Sequence, residues 1–108
     1  MKYNPPTKEA AIEVARAFRK ILQEHGIPVI DVLLFGSFAN GKTHMWSDID
    51  IAVIHKKFSE SRMKERRTIR RLQTEDRYPI DVLCFYPEDL DNKLLGLAQE
   101  VKKHGVAV

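Results

Sequence analysis

The sequence predicts an α/β (α+β) domain: a small mixed β-sheet of three or four strands with helices packed on it. Two observations predict it. Apolar runs at helical and at strand spacing alternate along the chain, and Gly or Pro punctuates the junctions between them. The chain of 108 residues, 44% hydrophobic and 31% charged with 5 Gly and 5 Pro, has room for one core and reads as a single domain over 1–108.

Each element follows in order. Thr7 is placed to N-cap a helix from about Lys8 to His25, because Ala11, Ala15, Phe18 and Leu22 share one face and Gly26 stands where a C-terminal glycine belongs. Ile27-Pro28 ends it. Val29–Phe35 is a β-branched, apolar run closed by Gly36, the pattern of a buried strand. After a turn of small residues, Asp48–Ile54 alternates polar and apolar at its start, which makes a strand with Asp48 and Asp50 on one face. Ser59 or Ser61 caps a basic helix to about Asp76. Pro79–Phe85 gives a third strand, and Pro87 opens a last helix with Leu90, Leu94, Leu97, Ala98 and Val101 on one stripe, ended by Gly105. Val106-Ala107-Val108 is the candidate for a fourth, edge strand.

Composition excludes several classes. No stretch approaches the roughly 20 apolar residues of a membrane span, and Met1–Pro6 has no apolar signal core. The single cysteine, Cys84, has no partner for a disulfide, which fits a reducing cytoplasm, and its place in a strand suggests a buried thiol. His25, His44, His55 and His104 lack metal-ligand spacing and are expected at the surface. The net charge of +3 is uneven: residues 56–77 hold nine basic and four acidic side chains, so the remainder is net acidic.

Three sequence features carry chemistry. Gly36-Ser37 follows a strand directly and leads towards a short helix whose free N–H groups would attract phosphate; a plain turn with a serine cap is the competing reading. Asp48 and Asp50, two residues apart in a strand, place carboxylates about 7 Å apart on one face, where they repel unless a cation intervenes. Oxygen-only ligands select a hard ion such as Mg²⁺. Asp81, in an otherwise apolar strand, needs a partner: either it joins Asp48 and Asp50 in the layout of two-metal phosphoryl transfer, or it pairs with Arg70 or Arg77.

The ordered set Gly36-Ser37, Gly41 and Ser47-Asp48-Ile49-Asp50-Ile51-Ala52-Val53, followed by Asp81, resembles the polymerase-beta-type nucleotidyltransferase superfamily, and in length its minimal members. The resemblance implies the polymerase-beta-like fold and a Mg²⁺-dependent transfer of a nucleoside monophosphate, AMP from ATP, to a hydroxyl. It implies that Asp48, Asp50 and Asp81 are catalytic and hold two Mg²⁺ ions, with Asp81 helping to deprotonate the acceptor. It implies that Gly36, Ser37, Asn40 and Ser47 bind the nucleotide. Many minimal members carry Arg where this chain has Asn40, a departure that leans towards the alternative of an inactive module that neutralises its partner by binding.

At this length no acceptor-binding domain is expected within the chain, so a partner is expected to supply the acceptor. The resemblance implies which: minimal nucleotidyltransferases act as antitoxins that adenylylate a tyrosine of a helical HEPN-type toxin. A homo-oligomer is a further option. The basic segment, residues 56–77, reads as a solvated helix, as a dock for an acidic partner, or as a contact for phosphates of ATP or nucleic acid. Trp46 either stacks on a base or closes its loop.

Overall fold

The computed structural model describes residues 6–36 and 48–108. Helix α1 (Lys8–Glu24) starts where Thr7, in extended backbone, accepts a hydrogen bond from the Ala10 amide at 3.1 Å. Ala11, Val14, Ala15, Phe18 and Leu22 recur every three or four residues, and all are buried. Gly26, at φ +73, lets the chain leave the helix in the left-handed region.

Strands β1 (Val29–Phe35), β2 (Ile49–His55), β3 (Ile80–Phe85) and β4 (Val106–Ala107) form one 4-stranded sheet in the order β3-β2-β1-β4. β1 runs antiparallel to β2 and to β4, whereas β3 runs parallel to β2. A parallel neighbour requires a crossover, which residues 56–79 supply with helix α2 (Arg62–Arg71). β2 is central and Ile49, Ile51, Ala52, Val53, Ile54 and His55 are all buried. Alternation sends Ile49, Ile51 and Val53 towards α1 and towards Ile69 of α2, and sends Ala52 and Ile54 towards Ala98 and Val101 of the last helix, α3 (Gly96–His104). Two apolar layers therefore clamp the sheet. No helix among the described residues is long and apolar enough to cross a membrane.

Three expectations are corrected. Ser61 caps α2 as anticipated, accepting from the Lys64 amide at 3.2 Å, but the helix stops at Leu72 rather than near Asp76. The reason is a turn built by side chains: Gln73 donates to the Glu75 carbonyl at 3.0 Å, and Glu75 accepts from both the amide and the guanidinium of Arg77. The Arg77 guanidinium holds the Glu75 carboxyl down at about 2.

The helix expected from Pro87 is also divided, into a 3-10 turn over Pro87–Asp91 and then α3. Asn92 accepts from the Leu94 amide, and Gln99 donates to the Leu90 and Asn92 carbonyls, so polar groups hold a corner where a continuous apolar stripe was expected. Leu94 and Leu97 consequently face solvent, at 92% and 49% exposure. His55, expected at the surface, is buried: its Nδ1 pairs with the Lys56 carbonyl at 3.0 Å, and its ring packs edge-on against Phe58 and Tyr86.

His55 belongs to a polar knot at the C-terminal ends of β2 and β3. Glu65 of α2 is fully buried and accepts from the Phe58 and Ser59 amides and from the Tyr86 hydroxyl. Burial alone would raise this carboxyl, but the hydrogen bond from Tyr86 and those from the two amides outweigh it and hold Glu65 below the usual range. Arg62 grips Asp89 with two bonds of 2.7 Å and lies 3.9 Å over the Tyr86 ring. The knot fixes α2 against the sheet and so decides where its outer face points.

Gly105, which ends α3 as expected, is required by space. A Cβ there would lie 2.5 Å from the Val101 carbonyl oxygen and 3.0 Å from Leu33. The Gly105 amide already donates to that carbonyl at 2.8 Å, so neither can move away freely. Gly105→Ala is expected to destabilise the fold by about 1–3 kcal/mol, measured by urea unfolding, with the β4 edge loosening first.

Candidate active site

The structure brings together the three carboxylates that the sequence singled out. Asp50, second in β2, stands opposite Asp81 of β3 and opposite Phe35 of β1. Neighbouring strands lie about 4.8 Å apart and register partners point to the same face, so Asp50 and Asp81 are direct neighbours on the face that α3 covers further along. Asp48, just before β2, is exposed, as is Asp81, whereas Asp50 is half-buried.

Asp50 carries the electrostatic signature of the site. Its carboxyl is raised from 3.8 to about 6, first by burial and then by the negative charges of Asp81 and Asp48. The competing pairing of Asp81 with an arginine is not formed. Arg70 instead donates from Nε and Nη2 to the Val82 carbonyl, at 3.2 and 3.1 Å, and Arg77 is held by Glu75. Among the described residues, none of the three aspartates has a salt-bridge partner.

Gly36 completes the described part of the site. It follows β1 at φ +71, and a Cβ built on it would fall 2.2 Å from Oδ2 of Asp50. The glycine thus makes the space in which the Asp50 carboxylate lies, besides permitting a backbone turn closed to most residues. Gly36→Ala is expected to cost about 1–3 kcal/mol in stability from the backbone strain alone and to push Asp50 out of line with Asp81. Turnover measured on the folded variant would then drop while the bulk fold, read by circular dichroism, persists.

Ser37, Asn40, Gly41 and Ser47, together with the helix expected after Gly36, His44 and Trp46, lie outside the described residues. Among the described residues no three carboxylate, imidazole or thiolate groups are gathered tightly enough to hold a metal ion by themselves. The donor set nevertheless suits a hard cation: three aspartates, no nitrogen or sulfur ligand among them, and one carboxylate whose charge is held back first by burial and then by its neighbours. An ion that keeps part of its shell for substrate phosphate and water needs no closed protein cage.

Residues 15–108 match the family model described as nucleotidyltransferase domain. The chain belongs to this family. Among curated relatives, a protein of Methanocaldococcus jannaschii provisionally named a protein adenylyltransferase is 33% identical over 82 residues, covering 72% of this chain. The chain spans only 56% of that relative's length. Among solved structures, a protein of Sulfolobus solfataricus provisionally named a nucleotidyltransferase superposes with a TM-score of 0.61 at 21% identity, covering 98% of this chain and 90% of the other. A toxin–antitoxin structure with AMP-PNP gives 0.55 at 24% identity, over 86% of this chain and 70% of the other. A further one, the toxin–antitoxin MntA-HpeT, gives 0.60 at 22% identity, with 86% and 70% covered. At these identities the structural likeness establishes the fold, which is the nucleotidyltransferase fold.

Two further features of this nucleotidyltransferase domain bear on its site. A groove of about 310 Å³ is lined by Phe18, Ile21, Ile51, Gln73 and Ile80 among others. Ile51 and Ile80 point to the opposite face from Asp50 and Asp81, so that groove lies apart from the carboxylates. A smaller one, about 220 Å³, runs along the outer edge of β3 between Arg70, Gln73 and Asp81. Arg70, which the sequence offered as an ion-pair partner for Asp81, does lie beside it, because the crossover brings α2 to the β3 edge, but it bonds the Val82 carbonyl instead.

Cys84, expected to be a buried strand residue, is one, and burial lifts its thiol to about 11, away from any nucleophilic role.

Proposed function

We propose that this nucleotidyltransferase domain transfers AMP from ATP, with Mg²⁺, to a hydroxyl on a protein acceptor. On this reading the acceptor is a tyrosine of a helical HEPN-type toxin in the cytoplasm, and the domain serves as its antitoxin. The observation that carries the reading is the facing of Asp50 and Asp81 across β2 and β3, with Asp48 near enough to raise the Asp50 carboxyl. The names of the relatives, a protein adenylyltransferase and toxin–antitoxin pairs, one of them with AMP-PNP, support the choice of acceptor and nucleotide.

Asp48, Asp50 and Asp81 would hold the two ions, which when bound neutralise phosphate charge and make the acceptor oxygen a better nucleophile. The chain's own residues do the positioning. β2 and β3 fix Asp50 and Asp81 as neighbours, and Gly36 keeps the space beside Asp50 open. Asp81, exposed on the edge strand β3, meets an acceptor arriving from outside and takes the proton of its hydroxyl. The acceptor oxygen bonds to the α-phosphorus as the α–β bridging bond breaks and pyrophosphate leaves. Gly36, Ser37, Asn40 and Ser47 cradle the triphosphate.

Thermal melting tests the nucleotide half of this reading. ATP with Mg²⁺ is expected to raise the melting temperature, whereas ATP with EDTA is not, and Asp48→Asn should remove the shift. A melting temperature indifferent to ATP and Mg²⁺ would turn the reading towards a module that neutralises its partner by binding alone.

A further inference from the structure

Met63, Arg66, Arg67, Arg70 and Arg71 stand at positions i, i+3, i+4, i+7 and i+8 of α2, a single face of the helix. All five are exposed, Met63 at 68%, while Glu65 and Ile69 take the buried side. Together they line an open groove of about 530 Å³. Three other cations of the segment are engaged: Arg62 with Asp89, Lys64 with Glu60, and Arg77 with Glu75. Among the described residues, the four arginines of the stripe have no acidic partner. A purely solvating face mixes signs, and four adjacent guanidinium groups with no carboxylate against them raise the positive potential locally.

The stripe also leads somewhere. Arg70 lines both this groove and the narrower one that reaches Asp81 along β3. We infer that the outer face of α2 docks an acidic helical segment of the acceptor protein and leads its hydroxyl towards Asp81; this rests on the proposed transfer to a protein. The face is about 12 Å long, matching two turns of a helix with carboxylates at i and i+4 spacing. Guanidinium forks match carboxylates two bonds at a time, and Met63 adds an adaptable apolar contact at one end. Single-stranded RNA is the weaker fit, because the stripe offers no aromatic ring on which bases could stack.

The test uses the full chain without nucleotide. Probes are a fluorescein-labelled helical peptide with glutamates at i, i+4 spacing and one tyrosine, its glutamine and lysine counterparts, and a single-stranded RNA. The variant Arg66→Glu/Arg67→Glu/Arg71→Glu spares Arg70, which holds the β3 edge, and its melting temperature checks that the fold survives. Fluorescence anisotropy is expected to show the glutamate peptide bound by the natural chain, and weakened about tenfold or more in the variant. The glutamine peptide should not bind, and the lysine peptide should prefer the variant. Equal affinity of the glutamate peptide for both proteins would overturn the inference, as would RNA binding more tightly than the peptide and being the ligand the variant loses. Because no nucleotide is present, peptide binding without any transfer in a separate assay would sink the transfer reading and leave the dock standing. Transfer at an unchanged rate by the triple variant would do the reverse.

Discussion

Asp50→Asn is expected to abolish nucleotidyl transfer while making the metal-free protein more stable. Loss of one ligand that meets phosphate charge should cost about a thousandfold or more in rate, the scale seen when a single group facing developing charge is removed. Stability moves the other way because the folded state holds this carboxyl at about 6 against an ordinary 3.8. Between these values the folded chain retains a proton that the unfolded chain has lost. The stabilisation from this group is therefore complete below about 4, is lost as pH rises through about 6, and is absent at neutral pH. Asp50 is partly exposed, so solvent screening reduces the gain from its neutralisation to about 1 kcal/mol. Urea unfolding between pH 4 and 8 should show this fall for the natural chain and a flatter curve for Asp50→Asn. A variant no more stable at pH 8 than the natural chain would argue that the three carboxylates do not strain one another.

Glu65→Ala carries the largest expected loss of stability, about 3–5 kcal/mol, because it leaves the Phe58 and Ser59 amides and the Tyr86 hydroxyl without their buried acceptor. Glu65→Gln keeps an oxygen for the amides and should cost far less, about 1 kcal/mol. Acid acts on this site with the sign opposite to that at Asp50. A carboxyl held below its ordinary range stabilises above its unfolded value of 4.5 and loses that contribution as pH falls through its lower folded value. Equal destabilisation by alanine and glutamine would mean that the charge of Glu65, rather than its hydrogen bonds, holds α2 in place.

The difference between these two carboxylates shows what the sequence makes legible. Asp50 and Asp81 were readable because a strand repeats every two residues, so their face was set by position alone, and parallel pairing of β2 with β3 then made them neighbours. Thr7, Gly26 and Gly105 were readable for the same local reason. Glu65 was not. In a helix crowded with arginine it reads as one more solvated charge, and only the distant Tyr86, with the Phe58–Ser59 turn, gives it a reason to be buried. His55 was hidden likewise, since its pocket is made by Phe58 and Tyr86 from outside its own strand. The last helix failed in the other direction: the leucine spacing was helical, but Asn92 and Gln99 supplied side-chain bonds that stabilise a corner instead. Gly36 was assigned to anion binding on its position, and its further task, making room for Asp50, appears only when the strands are paired.

The most direct measurement is intact-protein mass spectrometry of the protein encoded beside this chain, after incubation of the two with Mg²⁺ and ATP. The expected result is an added adenylyl mass on the partner, located on a tyrosine by fragmentation, absent with EDTA and absent with Asp50→Asn. An unmodified partner would contradict transfer at the Asp48, Asp50 and Asp81 site, as would a partner modified to the same extent by Asp50→Asn.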